Sequence, residues 1–412
     1  MKNTSFFVAL LTVIIYEILL RLINPFGVSF TKVGMTFLVW ISCYLAISTF
    51  LREYRKIKFN LPDPAFYLFA AIIIWNLLSI LRSSLDGNQP LTTQFGNNET
   101  SLALLTPFCL AFSIEKSNLK TINSFLVGLI VIGLPTYLLF FVSARSGSNN
   151  YIYDKAFSVI FYGVFFLIPI LPYQLNKAKL IIFLGSIVLS YLAIITEYRI
   201  MIVRIPLLYL SIVLVYLYRV FNLKLILYIA ILSLSVPFYF LIESVVTDES
   251  AFQKYRPQTK NEDLNDDTRT FLYTEVYDDL KKSNQLLIGK GSSGTYYSTY
   301  FDKYGGDTSH RLSVEVGILA LLLKGGYIAV FLNLSIFIVA IYLALFHTNN
   351  YFVISIGFML IIHILILFIT NYIDYTIYNV ALWFFVGVCL SKEIRSLDNK
   401  EIKNILQNGR IT

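Results

Sequence analysis

The sequence predicts an all-α polytopic membrane protein, and both its composition and its pattern of apolar runs support that class. Hydrophobic residues make up 57% of the 412 residues and charged residues only 14%, whereas a soluble protein has about a quarter of its residues charged. Runs of about 20 mostly apolar residues, the length of a transmembrane helix, recur along the chain. This composition excludes a soluble enzyme, a disordered scaffold and a nucleic-acid-binding domain.

Twelve apolar runs are predicted to be transmembrane helices, although the fourth is short. The seventh and eighth are separated only by a charged break at 196–199. Nine runs precede a long polar segment and three follow it. They lie near 6–23, 33–51, 64–81, 101–115, 121–143, 156–173, 179–196, 200–218 and 225–243, and then near 327–346, 351–370 and 376–391.

The basic residues predict which side of the membrane each connection faces. With the N-terminus inside, the inner connections and the C-terminal tail carry sixteen Lys and Arg residues, and the outer connections and helix ends carry eight, Lys324 among them. By the positive-inside rule, both termini are expected in the cytoplasm. Most of the net charge of +8 then orients the protein and contacts membrane lipid, and it implies no nucleic-acid partner. The predicted parts are nine spans in 1–243, a large outer loop in 244–326, three spans in 327–391 and a basic cytoplasmic tail in 392–412.

The outer loop is predicted to contain two helices. Residues 268–283 form an amphipathic pattern with Leu272, Val276 and Leu280 at i, i+4 spacing. The run 312–323 is twelve residues long and spans about 18 Å as a helix, well short of a bilayer core of about 30 Å. We expect a re-entrant or interfacial helix there. Because such a segment is tolerated only beside protein or a wet cavity, a functional site is expected nearby.

Charged residues within or beside spans indicate function by default. Arg199 and Arg204 lie at the outer end of the eighth span, and Arg204 is the deeper of the two. Two interpretations stay open: these side chains reach the outer headgroups or pair with Glu197, or they bind a ligand. A guanidinium suits a phosphate or pyrophosphate, because its planar fork binds two oxygens at once.

The residues that precede the short run offer a base. His310 lies at the expected mouth of the site, and its ordinary pKa near 6.5 suits a general base. Arg311 and Glu315 have the spacing of a helical ion pair, so the alternative is a solvated pair with His310 as a loop residue. Arg269, which opens the amphipathic helix, is expected on its own pattern to be surface charge.

Several of these segments occur in an order that resembles the bacterial O-antigen polymerase and O-antigen ligase family. The resemblance covers about 196–330 by motif and the rest by topology alone. The segments that carry it are Asp267-Thr268-Arg269, the helix to Leu280, the turn Leu287-Ile288-Gly289-Lys290-Gly291-Ser292-Ser293-Gly294, His310, and Glu315-Val316-Gly317 through Lys324-Gly325-Gly326.

The resemblance implies a glycosyltransferase C-like fold in the bacterial cytoplasmic membrane and a metal-independent enzyme without a cofactor. Its substrate would be an undecaprenyl-diphosphate-linked oligosaccharide, and its partners a chain-length regulator and a flippase of the same pathway. Arg199, Arg204, Arg269 and Arg311 would bind the diphosphate. His310 would activate the acceptor hydroxyl.

One departure from the family pattern bears on the reaction. His310 is followed by Arg311 and Leu312, whereas the ligases have His-Asn. The prediction therefore moves from ligase toward polymerase of O-antigen, capsule or exopolysaccharide units, with Glu315 as a second candidate base. A ligase, or a transporter or flippase for lipid-linked glycans, is the alternative. Transporters often contain internal repeats with paired broken helices, and this sequence has neither.

Overall fold

The computed structural model describes residues 2–23, 29–86, 90–144, 150–195, 199–221, 270–299 and 310–408, with 225, 228–229, 232 and 302. Nearly all of this is helical. The long helices of the first half are α1 (Lys2–Ile23), α2 (Ser29–Asn60), α3 (Asp63–Asp86), α6 (Asn118–Ala144), α7 (Asn150–Leu167), α8 (Asn176–Ile195) and α9 (Arg199–Phe221). Between α3 and α6 lie α4 (Leu91–Phe95) and α5 (Ser101–Leu105), which continues as a 3₁₀ helix (Thr106–Ile114).

The second half begins with an outlying helix and two short strands. These are α10 (Thr270–Lys282), β1 (Tyr296–Tyr297) and β2 (His310–Arg311), and the strands pair antiparallel. The remaining helices are α11 (Gly317–Phe346), α12 (Tyr351–Leu367), α13 (Ile377–Leu390), α14 (Lys392–Ser396) and α15 (Asn399–Asn408).

The helices have the lengths and composition of a membrane protein. Within the described residues, six are long and apolar enough to cross a membrane: α2, α3, α6, α8, α9 and α11. Four shorter apolar helices accompany them, at Thr4–Leu19, Ser101–Ile114, Tyr351–Leu367 and Ile377–Leu390. The all-α membrane class is thus supported, while the number of twelve spans stays a prediction. The predicted span 225–243 lies almost wholly outside the described residues.

Two predicted spans have features in the structure that the sequence did not predict. The fourth predicted span is the α5–3₁₀ segment, and every residue from 101 to 114 is buried. Its apolar character is satisfied by protein on all sides, so it needs no contact with lipid. The second helix continues past its predicted end at residue 51 to Asn60, and Glu53 and Lys56 form an ion pair of 2.8 Å on that extension.

The C-terminal residues form docked helices rather than a free tail. Ile402, Ile405 and Leu406 of α15 are buried, and Tyr173 donates a hydrogen bond of 2.5 Å to Asn399. We call this end of the bundle the tail end. The opposite end, which carries β1, β2 and the connection between α12 and α13, is the loop end.

The amphipathic helix of the loop is confirmed, with a core-facing stripe where the spacing predicts one. It spans Thr270–Lys282, and Leu272, Val276 and Leu280 are fully buried. The short run that follows β2 becomes helical at Gly317, not at residue 312, because β2 and a non-helical stretch occupy 310–316. All residues from Gly317 to Gly326 are buried, so this piece lies inside protein.

A glycine turn holds a break in α11. The chain kinks at Gly326, where φ is 66° and ψ is −168°. Residues 285–291, here called the clamp, fold across the kink: Lys290 N donates to Leu323 O (2.7 Å), and Tyr327 N donates to Leu286 O (3.0 Å). On the other side, Trp75 donates to the carbonyl of Gly325 at 2.9 Å. The glycine-rich sequence is therefore a structural turn in this protein and not a phosphate loop.

Candidate functional site

The loop end is organised around one non-helical stretch, residues 368–376, which joins α12 to α13. Three elements that are distant in sequence are hydrogen-bonded to it. The hydroxyl of Tyr273 on α10 donates to Phe368 O, Asn371 N donates to Glu315 O at 2.7 Å, and Tyr375 N donates to Asn98 O at 2.8 Å. This connecting segment therefore fixes the positions of the loop helix, the strand β2 region and the α4–α5 connection relative to the bundle.

Arg204 is the most unusual side chain near this segment. It lies on α9, and only 1% of its surface is exposed. Its Nη1 donates a hydrogen bond of 2.6 Å to the hydroxyl of Tyr372. The rings of Tyr372, Phe161 and Phe165 surround the guanidinium, with centroids 4.8, 5.0 and 5.8 Å from Cζ. The guanidinium is thus enclosed by aromatic rings and attached to the connecting segment.

The charge of Arg204 has no counter-charge within the described part of the chain. Its Nε and Nη2 are buried and have no hydrogen-bond partner, and no Asp or Glu of the described residues forms an ion pair with it. A buried charge without a counter-charge costs several kcal/mol. Cation–π contacts return about 2 kcal/mol when desolvated, which leaves a net penalty. A membrane protein that retains such a group is expected to use it.

The predicted base region lies on the same side of the molecule but nearer to solvent. His310 pairs with Tyr297 in the two-stranded ladder and is exposed, with the two ring centroids 5.5 Å apart. Arg311 Nη1 lies 3.8 Å from Glu315 Oε1. That pair was expected on a helix; here Arg311 is in β2 and Glu315 precedes α11. Burial raises the pKa of Tyr296 to about 12 against the opposing effect of Arg311.

The structure brings some of the predicted residues together and leaves others undescribed. Arg204 contacts Tyr372, and the neighbouring Asn371 is bonded to the backbone of Glu315, so the arginine and the β2 region meet at one segment. Arg199 is the first residue of α9, but its side chain lies outside the described residues, as does the whole of Arg269.

Two charged residues of the loop end were not predicted from the sequence to belong to the site. Asp374, in the connecting segment, accepts hydrogen bonds at Oδ1 from Thr376 Oγ1 (2.7 Å) and Asn379 Nδ2 (2.9 Å). Lys324 was counted with the outer helix ends, yet it is only 3% exposed. Within the described part of the chain its ammonium has no hydrogen bond or ion pair, and the negative charges that act on it are those of Glu99 and Asp374. For Asp374, the sequence signal that could have indicated a role is the occurrence of an acidic residue in a short turn between two apolar runs.

A small cavity adjoins the connecting segment inside the bundle. Its volume is about 40 Å³, enough for two or three water molecules. The polar side chains that line it are Asn76, Thr106, Asn333, His363, Tyr372 and Asn379. Because Tyr372 both lines the cavity and contacts Arg204, the cavity lies next to the aromatic side chains that surround the guanidinium.

Comparisons with known proteins do not identify the site. No protein-family model, no curated protein and no solved structure matches the chain. Within the residues that the structure describes, no group of three His, Cys, Asp or Glu side chains is arranged to hold a metal ion. What the site does must therefore follow from its own side chains.

The contribution of the hydrogen bond between Tyr372 and Arg204 to stability can be measured. Among the described residues, Tyr372→Phe leaves Nη1 of this buried cation with only the sulfur of Met201, at 3.9 Å, as a partner, so we expect it to lower the free energy of unfolding by about 1–3 kcal/mol. The measurement is the melting temperature of the purified protein in detergent. The control is Tyr216→Phe, which alters an exposed tyrosine of α9; equal melting temperatures for the two variants would contradict the expectation.

Proposed function

We propose that the protein is a polysaccharide polymerase. It joins oligosaccharide repeat units carried on undecaprenyl diphosphate into O-antigen, capsule or exopolysaccharide, at the outer face of the bacterial cytoplasmic membrane, with both termini in the cytoplasm. The observation that carries the proposal is the fully buried Arg204 with two unpartnered guanidinium nitrogens. The order of motifs from Arg269 to Gly326 supports the same class of reaction.

The vacant nitrogens of Arg204 suit a diphosphate in particular. Nε and Nη2 lie on the same edge of the guanidinium, the edge that binds two oxygens of one oxyanion in parallel. Tyr372 occupies only Nη1, on the other side. Because Nε and Nη2 are inaccessible in this structure, binding of an anion requires the surrounding side chains to move. A doubly charged lipid diphosphate would supply the counter-charge that the described residues do not.

The reaction needs a group that stabilises the leaving diphosphate and a base, and the loop end contains candidates for both. The hydroxyl oxygen of one lipid-linked glycan attacks the anomeric carbon of another; the new glycosidic bond forms as the bond from that carbon to the diphosphate oxygen breaks. Undecaprenyl diphosphate leaves with the bonding electrons, and Arg204 stabilises the negative charge that develops on it. A base accepts the proton of the attacking hydroxyl. The sequence predicts His310 or Glu315 for that role.

The test is elongation by the purified protein. Protein in detergent is incubated with its lipid-linked repeat unit, and the products are separated by length. A ladder of longer lipid-linked glycans is expected. No elongation of the cognate repeat unit would overturn the proposal. A single transfer of a preformed chain to a different acceptor, without a ladder, would indicate a ligase instead.

A further inference from the structure

The carboxylate of Asp374 has the arrangement of an oriented base. Its Oδ1 is held by Thr376 and Asn379, at 2.7 and 2.9 Å. Its Oδ2 has no hydrogen-bond partner among the described residues, and the side chain is partly exposed. One oxygen thus fixes the direction of the carboxylate while the other remains free to accept a proton.

The same contacts connect Asp374 to Arg204. The side-chain amide of Asn379 donates to the carbonyl of Tyr372 as well as to Asp374, and the hydroxyl of Tyr372 accepts from Arg204. The carboxylate therefore belongs to the same connecting segment to which the buried cation is hydrogen-bonded. An acceptor hydroxyl and a departing diphosphate have to be held in just such a fixed relation.

The two bases predicted from the sequence are less well placed. The side chain of His310 is exposed and forms no hydrogen bond with the described residues; its ring lies against the ring of Tyr297. The side chain of Glu315 is 45% exposed and lies 3.8 Å from Arg311, so its negative charge is already paired. Among the described residues, neither side chain forms a hydrogen bond or an ion pair with the connecting segment.

We propose that Asp374 is the catalytic base, which accepts the proton of the acceptor hydroxyl as that oxygen attacks the anomeric carbon. The assignment rests on the proposed function. After the step Asp374 is neutral and the leaving diphosphate carries the charge, so the proton has to pass from this partly exposed residue to solvent before the next turnover.

The surroundings of Asp374 give it a useful basicity. Burial raises its pKa to about 7, helped by the negative charges of Glu99 and Glu17 and opposed by the hydrogen bonds from Thr376 and Asn379. A base is most effective when its pKa lies near the working pH. The other titratable groups that face it are Lys324 from α11, Tyr16 from α1 and Tyr378 from α13.

Asp374→Asn preserves the size and the acceptor oxygen but removes the base. We expect the rate constant for elongation, kcat, to fall by about 10²- to 10⁴-fold with little change in KM. In the wild-type protein kcat/KM should fall as the pH is lowered through about 7, because a protonated carboxyl accepts no proton; the residual activity of Asp374→Asn should lack that step. Asp374→Glu should restore part of the rate. The matched control is Asp278→Asn, which alters an exposed aspartate of α10.

The outcomes separate this assignment from the function on which it rests. If the wild-type protein makes no longer products, both fail together. If the wild-type elongates and Asp374→Asn elongates at the same rate, only the assignment fails. A loss of kcat that is larger in His310→Ala or Glu315→Gln than in Asp374→Asn would also overturn it and restore the base predicted from the sequence. The melting temperature of each variant shows whether a loss of rate reflects misfolding.

Discussion

Arg204→Met is expected to abolish elongation without lowering the melting temperature. Methionine fills much of the space of the arginine among Phe161, Phe165 and Tyr372 and removes a buried charge that has no counter-charge. Replacing buried ionic groups by apolar side chains of similar volume is often neutral or stabilising. Loss of a group that stabilises developing charge costs about 10²- to 10³-fold in kcat. Elongation and thermal unfolding are measured on the same preparation.

Two variants sharpen this result. Arg204→Lys keeps a positive charge but loses the planar fork, so it should retain little activity if the diphosphate is bound through Nε and Nη2. Arg219→Met removes an exposed arginine near the tail end of α9 and should elongate normally. A melting temperature of Arg204→Met well below that of the wild type would show that the arginine is structural.

Among glycine-to-alanine substitutions in the described loop end, Gly326→Ala is expected to lower the stability of the protein most. The backbone at φ 66° and ψ −168° is a conformation that only glycine adopts readily, and forcing another residue into it costs about 1–3 kcal/mol. The new Cβ would also lie 2.2 Å from Leu287 O. Overpacking of this kind costs about 1–3 kcal/mol more. The clamp would have to move away from the kink.

The matched control for Gly326→Ala is Gly128→Ala. Gly128 lies in α6, and a Cβ there meets no atom within 4 Å. Replacing a helical glycine by alanine stabilises by up to about 1 kcal/mol, so this variant should melt at or above the wild-type temperature. Equal melting temperatures for the two alanine variants would show that the kink does not depend on its glycine.

Much of the fold follows from local patterns in the sequence, and the exceptions have a common cause. The stripe of Leu272, Val276 and Leu280 predicted α10, because the spacing alone defines a buried face. The segment 101–115 was predicted as a span, and the structure encloses its residues 101–114 in protein. An apolar run has the same composition whether lipid or other helices cover it, so hydropathy cannot separate these cases.

The sequence predicted site residues only where a residue differs in polarity from its neighbours in the chain. Arg204 stands out in the sequence because a charged group interrupts an apolar run. Asp374 does not, because a polar residue is ordinary in a turn between two helices. Its surroundings arise because the backbone on either side of it is hydrogen-bonded to Asn98 and Glu315, far away in the chain. Lys324 ends an apolar run and was expected at the surface, but the clamp folds across that part of α11.

The proposed role of Arg204 is tested most directly by asking whether undecaprenyl diphosphate stabilises the protein through this residue. Thermal unfolding is followed in detergent with increasing concentrations of this lipid, for the wild type and for Arg204→Met. A ligand at 100 times its Kd adds about 2.7 kcal/mol to the folded state, so the melting temperature of the wild type should rise with concentration while that of the variant stays constant. An equal rise in both proteins, or none in the wild type, would contradict the role of Arg204 as the diphosphate-binding residue.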